Sequence, residues 1–115
     1  MNYNELIDPK CSKATNEMRI RHLKVLDRIM IGVQVSDKFH YGFLFDFEQT
    51  IKKLEDVFES PFLYGLKSKQ PLSLETRISY MASVCKVLHY IHNFPSDIYL
   101  KYDEYYRNLK DLKLL

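Results

Sequence analysis

The stretch between Ser73 and Pro95 constrains the fold more than any other part of the chain. Ser73 can accept a hydrogen bond from a free N–H of a first helical turn, Thr76 follows three residues later, and Pro95 disfavours helix in the residue before it. The spacing predicts a helix over about 74–93. On that helix Thr76, Tyr80, Val84, Val87, Leu88 and Ile91 fall on one face, and Ile78, Ala82, Cys85 and His89 make most of a second. A helix apolar on most sides belongs in the middle of a fold, with several neighbours around it. The rest of the chain must supply them.

Three further amphipathic helices are legible. Ser12 and Thr15 open one that runs over about 13–31 and stops at Gly32. Its Leu23, Leu26 and Met30 share a face, while Lys13, Glu17, Arg21, Lys24 and Arg28 share the opposite one. Arg19 projects near the apolar stripe and needs a carboxylate or a route to solvent. Asp46 with Gln49 caps a helix over about 47–59, whose Phe47, Ile51, Leu54 and Phe58 form a stripe and which ends at Ser60-Pro61. The last runs over about 97–113, with Ile98, Tyr102, Tyr105, Leu109 and Leu112 turned inward. Between the first two helices, Gly32-Val33-Gln34-Val35 alternates like a short strand without a partner, and Phe39, Tyr41, Phe43 and Phe45 read as an aromatic-rich loop packed on the core.

The reading is therefore all-α: a compact bundle of four main helices around the third, with residues 1–11 as an N-terminal tail and 12–115 as one helical domain. A length of 115 residues suits one domain. Three glycines and four prolines are too few for a fold built on many tight turns. Ser12-Lys13-Ala14-Thr15 and Ser73-Leu74-Glu75-Thr76 open two helices alike, a weak internal echo.

No apolar run is long enough to span a membrane, and the first residues hold no apolar leader. Cys11 and Cys85 are too few for a disulfide framework. These features together suggest an intracellular protein, in the cytoplasm or nucleus. No nucleophilic triad, phosphate-binding glycine loop or paired zinc-histidine motif is present, so neither enzyme activity nor a cofactor is expected. Cys85, His89 and His92 stand at i, i+4 and i+7, workable for metal, but a fourth ligand is missing. The plainer reading is a buried cysteine beside two half-buried histidines, with no metal site.

Charge distribution is more informative than the net +2. Residues 10–28 carry a net +4, residues 29–66 a net −3 and residues 67–93 a net +3. Helix N-termini offer free amides and a partial positive charge to phosphate. Ser12 and Thr15 mark one such end, flanked by Lys10 and Lys13. Ser73 and Thr76 mark another, flanked by Lys67, Lys69 and Arg77. Hydroxyl, amide and cation together suit contacts to a nucleic-acid backbone. The candidate DNA-contacting residues are Lys10, Lys13, Arg21, Lys24, Arg28, Lys67, Lys69, Ser73, Thr76 and Arg77.

The run from Pro71 to Tyr80 holds Ser-x-x-Thr with a Tyr four residues on, opening a long helix. In this it resembles the SAM-like core-binding N-terminal domain of tyrosine recombinases of the phage-integrase type, including recombinase-like proteins of large DNA viruses and mobile elements. Tyr99-Leu100-Lys101-Tyr102 and Tyr105-Tyr106-x-x-Leu109 are similar to the end of that domain. As architecture the resemblance covers roughly residues 10–112. It implies a helical module that clamps DNA through phosphates, with catalysis left to a separate domain. The chain departs from the pattern at Arg19, where the first repeat of the echo would carry its Tyr. The competing expectation is a protein-interaction or structural module of a larger assembly, or a homo-oligomer. Its interface would be the aromatic segment Phe39 to Phe47 and the Tyr-rich last helix.

Overall fold

The computed structural model describes residues 1–32 and 37–115. Four α-helices follow in order: α1 over Lys13–Ile31, α2 over Phe47–Glu59, α3 over Leu74–Leu88 and α4 over Ser96–Lys113. Short 3-10 turns at Tyr3–Leu6, Tyr41–Phe45 and Pro61–Tyr64 fill the connections. The described residues contain no β-strand, only an isolated bridge between Asn2 and Lys38. The all-α bundle expected from the periodicity is the observed architecture. The alternating residues Val33 to Val35 lie outside the described residues.

The caps form at the hydroxyl and carboxylate residues that mark them. Ser12 Oγ accepts from the Thr15 amide at 3.1 Å, and Ser73 Oγ from the Thr76 amide at 3.2 Å. Asp46 Oδ1 accepts from the Gln49 amide at 3.1 Å. Gly32 ends α1 at a φ of 90°, a left-handed conformation that glycine adopts without strain.

α3 is shorter than its apolar pattern. It ends at Leu88, and residues 89–93 continue as tighter turns in which His89 and Tyr90 bond back to Lys86 and Val87. Asn93 then takes a left-handed φ of 56° ahead of Phe94-Pro95. A proline holds its neighbour away from helical angles, so the last turn unwinds before it is reached. Ile91 is still buried, which explains why the periodicity reads on to 93.

Packing follows from α3. Met81, Val84, Val87 and Leu88 are buried along it. They meet Leu23 and Leu26 of α1, Ile51, Leu54 and Phe58 of α2, and Tyr102 of α4 in one core. Residues 1–11 are not a free tail. Tyr3 and Leu6 are buried in the same core, and the Tyr3 amide bonds to Asp37 O while the Phe39 amide bonds to Met1 O. Two aromatic or branched side chains on a single 3-10 turn suffice to anchor it, a pattern too short to show periodicity. Most of the aromatic connection packs inward, with Phe39 and Leu44 buried and the Phe39 and Phe43 rings edge-on at 5.8 Å, whereas Phe45 is exposed, its ring 5.0 Å from that of Phe94.

α4 contributes one fully buried side chain, Tyr102, whose hydroxyl donates to Leu44 O at 2.8 Å. This bond ties α4 to the turn before α2. Removing the hydroxyl leaves a buried carbonyl without that donor. Tyr102→Phe should therefore lower stability by about 1–3 kcal/mol, seen as a lower urea midpoint with an unchanged m-value.

Candidate functional site

α1 carries the densest run of cations, and its inner contacts decide which of them face out. His22 is buried against α3: its ring stacks on Tyr80 at 4.0 Å between centroids, and Nδ1 lies 2.9 Å from Ser83 Oγ. Asp27, one of the two acids in the basic stretch, is also turned in. Its carboxylate is 1% exposed and accepts from the Tyr3 hydroxyl at 3.1 Å and the His40 amide at 3.4 Å, with His40 Nδ1 at 3.1 Å. The other acid, Glu17, lies 3.8 Å from Lys13, with both side chains exposed. An exposed pair of this kind contributes little to stability. With Asp27 removed from the surface, the outer side of α1 is more positive than the sequence count implies.

Arg21, Lys24 and Arg28 line one open groove with Glu17, Ile20 and Val25. Among the described residues none of these three cations is ion-paired with a carboxylate. Lys24 Nζ sits 5.4 Å over the Tyr3 ring. The Arg28 guanidinium lies across Gly65, where an added Cβ would stand 2.7 Å from one of its nitrogens. Gly65 ends the Pro61–Tyr64 turn at a φ of 83° and leads into the loop that carries Lys67 and Lys69. This contact joins the end of the α1 row to the loop before α3. Lys67 is exposed, and Lys69 Nζ stands 5.7 Å over the Phe62 ring.

The remaining candidates sit differently. Lys10 is exposed in the turn before α1, where its amide donates to Asp8 Oδ1 at 2.9 Å. Ser73 and Thr76 hold each other, with hydroxyl oxygens 2.9 Å apart, as do Ser12 and Thr15. Arg77 is held by the protein itself: Nε donates to Leu72 O at 2.9 Å, a terminal nitrogen lies 3.1 Å from Glu59 Oε1, and the guanidinium covers the Phe58 ring at 5.7 Å. Arg19, close to the apolar stripe, donates to Cys11 Sγ at 3.3 Å. The cations that stand together and unpaired are thus Arg21, Lys24 and Arg28, with Lys67 and Lys69 continuing from Gly65.

The Cys85, His89 and His92 candidates sit apart from this row. Burial pushes the Cys85 thiol up to about 12, far from thiolate formation. Since α3 stops at Leu88, His92 lies beyond the helix and does not share a face with Cys85. His89 Nε2 lies 3.2 Å from the Tyr99 hydroxyl. Among the described residues no group of three His, Cys, Asp or Glu side chains is placed to hold a metal ion, and no helix is long and apolar enough to cross a membrane. The aromatics of the interaction reading are mostly packed on the core: Phe39 and Tyr102 are buried, Tyr41, Phe43, Phe47, Tyr99, Tyr105 and Tyr106 are half-buried, and Phe45 is exposed. Comparison with protein-family models, curated proteins and solved structures returns no match.

Three neighbours of the basic row were not among the residues read from sequence. Lys53 Nζ stands 5.2 Å over the Tyr64 ring, and Phe62 and Leu63 are exposed on the same turn as Tyr64. The pairing of Pro61 with Gly65 around three apolar side chains is the sequence signal for such a turn.

Burial, reinforced by the Arg21 charge, pushes His22 from 6.5 down to about 4, against a smaller opposing effect of the Ser79 carbonyl. The unfolded chain then binds a proton that the folded chain refuses. Stability contributed by neutral His22 is complete above pH 6.5 and is lost as pH falls from 6.5 toward 4. The melting temperature should decline across that window, and His22→Gln should flatten the decline. Asp8, held down to about 2 by the Lys10 amide and the Lys86 ammonium, acts in a separate window below 3.8. Gly65→Ala should cost about 1 kcal/mol through its left-handed φ, measured by urea unfolding, and should displace Arg28 from the loop.

Proposed function

We propose that this chain is a non-catalytic DNA-binding module that grips backbone phosphates along the outer side of α1 and the loop before α3. The observation that carries the reading is the approach of Arg28 to Gly65, which brings the end of the α1 row against the turn that leads to Lys67 and Lys69. Arg21, Lys24 and Arg28 repeat at three and four residues along one helix face, and Lys67 and Lys69 continue from its end. Unpaired cations in a row are what a regularly charged polyanion requires. Lys13, at the first position of α1, and Lys10, in the turn before it, extend the strip at its other end. Ser73, Thr76 and Arg77 serve chiefly to build the start of α3, and their place in phosphate contact is secondary.

In this reading the protein resembles a recombinase core-binding domain in kind: a helical clamp without its own chemistry, serving DNA recombination or integration inside a cell or a viral assembly. The interaction-module reading rests on exposed aromatic surface, which the inward packing of Phe39 and Tyr102 reduces.

The test is a salt-titrated duplex-binding assay. With about five phosphate contacts, affinity should fall roughly 500-fold between 50 and 200 mM salt. The triple charge reversal Arg21→Glu, Lys24→Glu, Arg28→Glu should abolish binding. Lys67→Glu, at an exposed position, should weaken it and reduce the salt slope by about 1. Salt-independent affinity, or reversed cations that bind as well as the native ones, would overturn the proposal.

A further inference from the structure

Phe62 and Leu63 stand side by side on the Pro61–Tyr64 turn, 57% and 80% exposed. Single exposed apolar side chains are ordinary on protein surfaces. This adjacent pair differs in its setting. Lys69 Nζ lies over the Phe62 ring at 5.7 Å, Lys53 Nζ over the neighbouring Tyr64 ring at 5.2 Å, and the Arg28 guanidinium rests on Gly65. The acids of this corner are occupied or shared: Glu59 pairs with Arg77, and Asp56 faces a groove with Lys52, Lys53 and Glu48, the last of which pairs with Lys101. The exposed Leu100 of α4 offers a contrast. Its groove is lined by Asp103, Glu104, Arg107, Asn108 and Asp111, a mainly acidic setting that a polyanion would avoid.

The turn is also held firmly. Pro61 is buried, and the amides of Leu63, Gly65 and Leu66 bond back to Ser60, Phe62 and Pro61 carbonyls at 3.1, 3.2 and 3.1 Å. The pair therefore projects from a fixed base. An apolar point ringed by cations fits a ligand that is charged outside and apolar within. Duplex DNA has that construction, with phosphates along its edges and stacked bases between them. Proteins that bind DNA through its minor groove insert Phe or Leu side chains between base steps and bend the duplex by about 20–90°.

We infer that Phe62 and Leu63 form a wedge that enters the duplex between base pairs, while Arg28, Lys53, Lys67 and Lys69 hold the flanking phosphates. This rests on the DNA reading of the basic strip and adds to it a mechanical consequence: the bound duplex is bent and locally unstacked. Pyrimidine–purine steps, which unstack most easily, are the preferred points of entry.

The experiment uses a short duplex with a donor and an acceptor dye on its two ends and 2-aminopurine at a central TA step. The native chain should bring the ends closer and raise 2-aminopurine emission. Leu63→Ser, at a side chain with almost no packing to lose, and the double variant Phe62→Ser, Leu63→Ser should bind with an unchanged salt slope and lose both signals. Circular dichroism melting checks that the variants are folded. Native binding without change in either signal, or equal bending by Leu63→Ser, overturns the wedge and leaves the phosphate reading intact. Absence of any binding at low salt overturns the phosphate reading itself. Two further results would also overturn the wedge. One is a native dimer that Leu63→Ser dissolves, which would assign the tip to a second copy. The other is native binding to anionic vesicles in preference to DNA, lost in Leu63→Ser, which would assign it to lipid.

Discussion

The burial of α3 around most of its circumference is the constraint from which the rest of the molecule follows. Met81 and Val84 have no exposed surface, and no single neighbour can cover a helix that is apolar around most of its circumference. α1 and α4 pack along it, α2 closes the core through Phe58 and Tyr80, whose rings lie 6.1 Å apart, and even the first residues are drawn in through Tyr3 and Leu6. The short connections then have little freedom. The turn at Tyr41–Phe45 is fixed by Tyr102 and Thr50, each of which donates to a carbonyl of that turn.

The same constraint sets the surface. α1 is locked onto α3 by the His22–Tyr80 stack and the His22–Ser83 contact, and this fixes its rotation about its own axis. Asp27 follows His22 by five residues and is carried inward, where Tyr3 and His40 satisfy it. Arg21, Lys24 and Arg28 are consequently left outside as a row with little acid beside it. A buried carboxylate that is hydrogen-bonded by the N-terminal segment thus has an electrostatic effect at a distance: it holds a negative charge away from the cationic strip.

Much of the fold was legible because helix signals are local. Ser12, Asp46 and Ser73 cap the helices they precede, and Gly32 stops α1, since a free N–H finds the nearest side-chain oxygen and a left-handed φ selects glycine. Leu112 and Phe45, expected to face inward, are exposed, the former because α4 outruns the core near its end. Two larger departures have local and non-local causes respectively. α3 ends at Leu88 rather than near Asn93 because Phe94-Pro95 forces the chain out of helical angles, while Ile91 keeps the apolar rhythm going. Residues 1–11 read as a tail because only Tyr3 and Leu6 are core-forming in them, too few for a period. Their burial depends on Asp27 and Asp37, which lie more than twenty residues away.

For the candidate site, the order of residues along the chain is enough to say which of them carry positive charge, that Arg21, Lys24 and Arg28 share a helix face, and that the bundle is all-α. Those properties are set within a few residues by side-chain chemistry and the 3.6-residue period. Which cations are available, and which loop the α1 row meets, follows from the packing of distant segments. Arg77 is spent on Leu72, Glu59 and Phe58, whereas Arg28 reaches the turn at Gly65 and joins two stretches separated by the whole of α2. Which carboxylate, ring or carbonyl a long side chain finds depends on how distant segments pack, and the covering of α3 settles that packing.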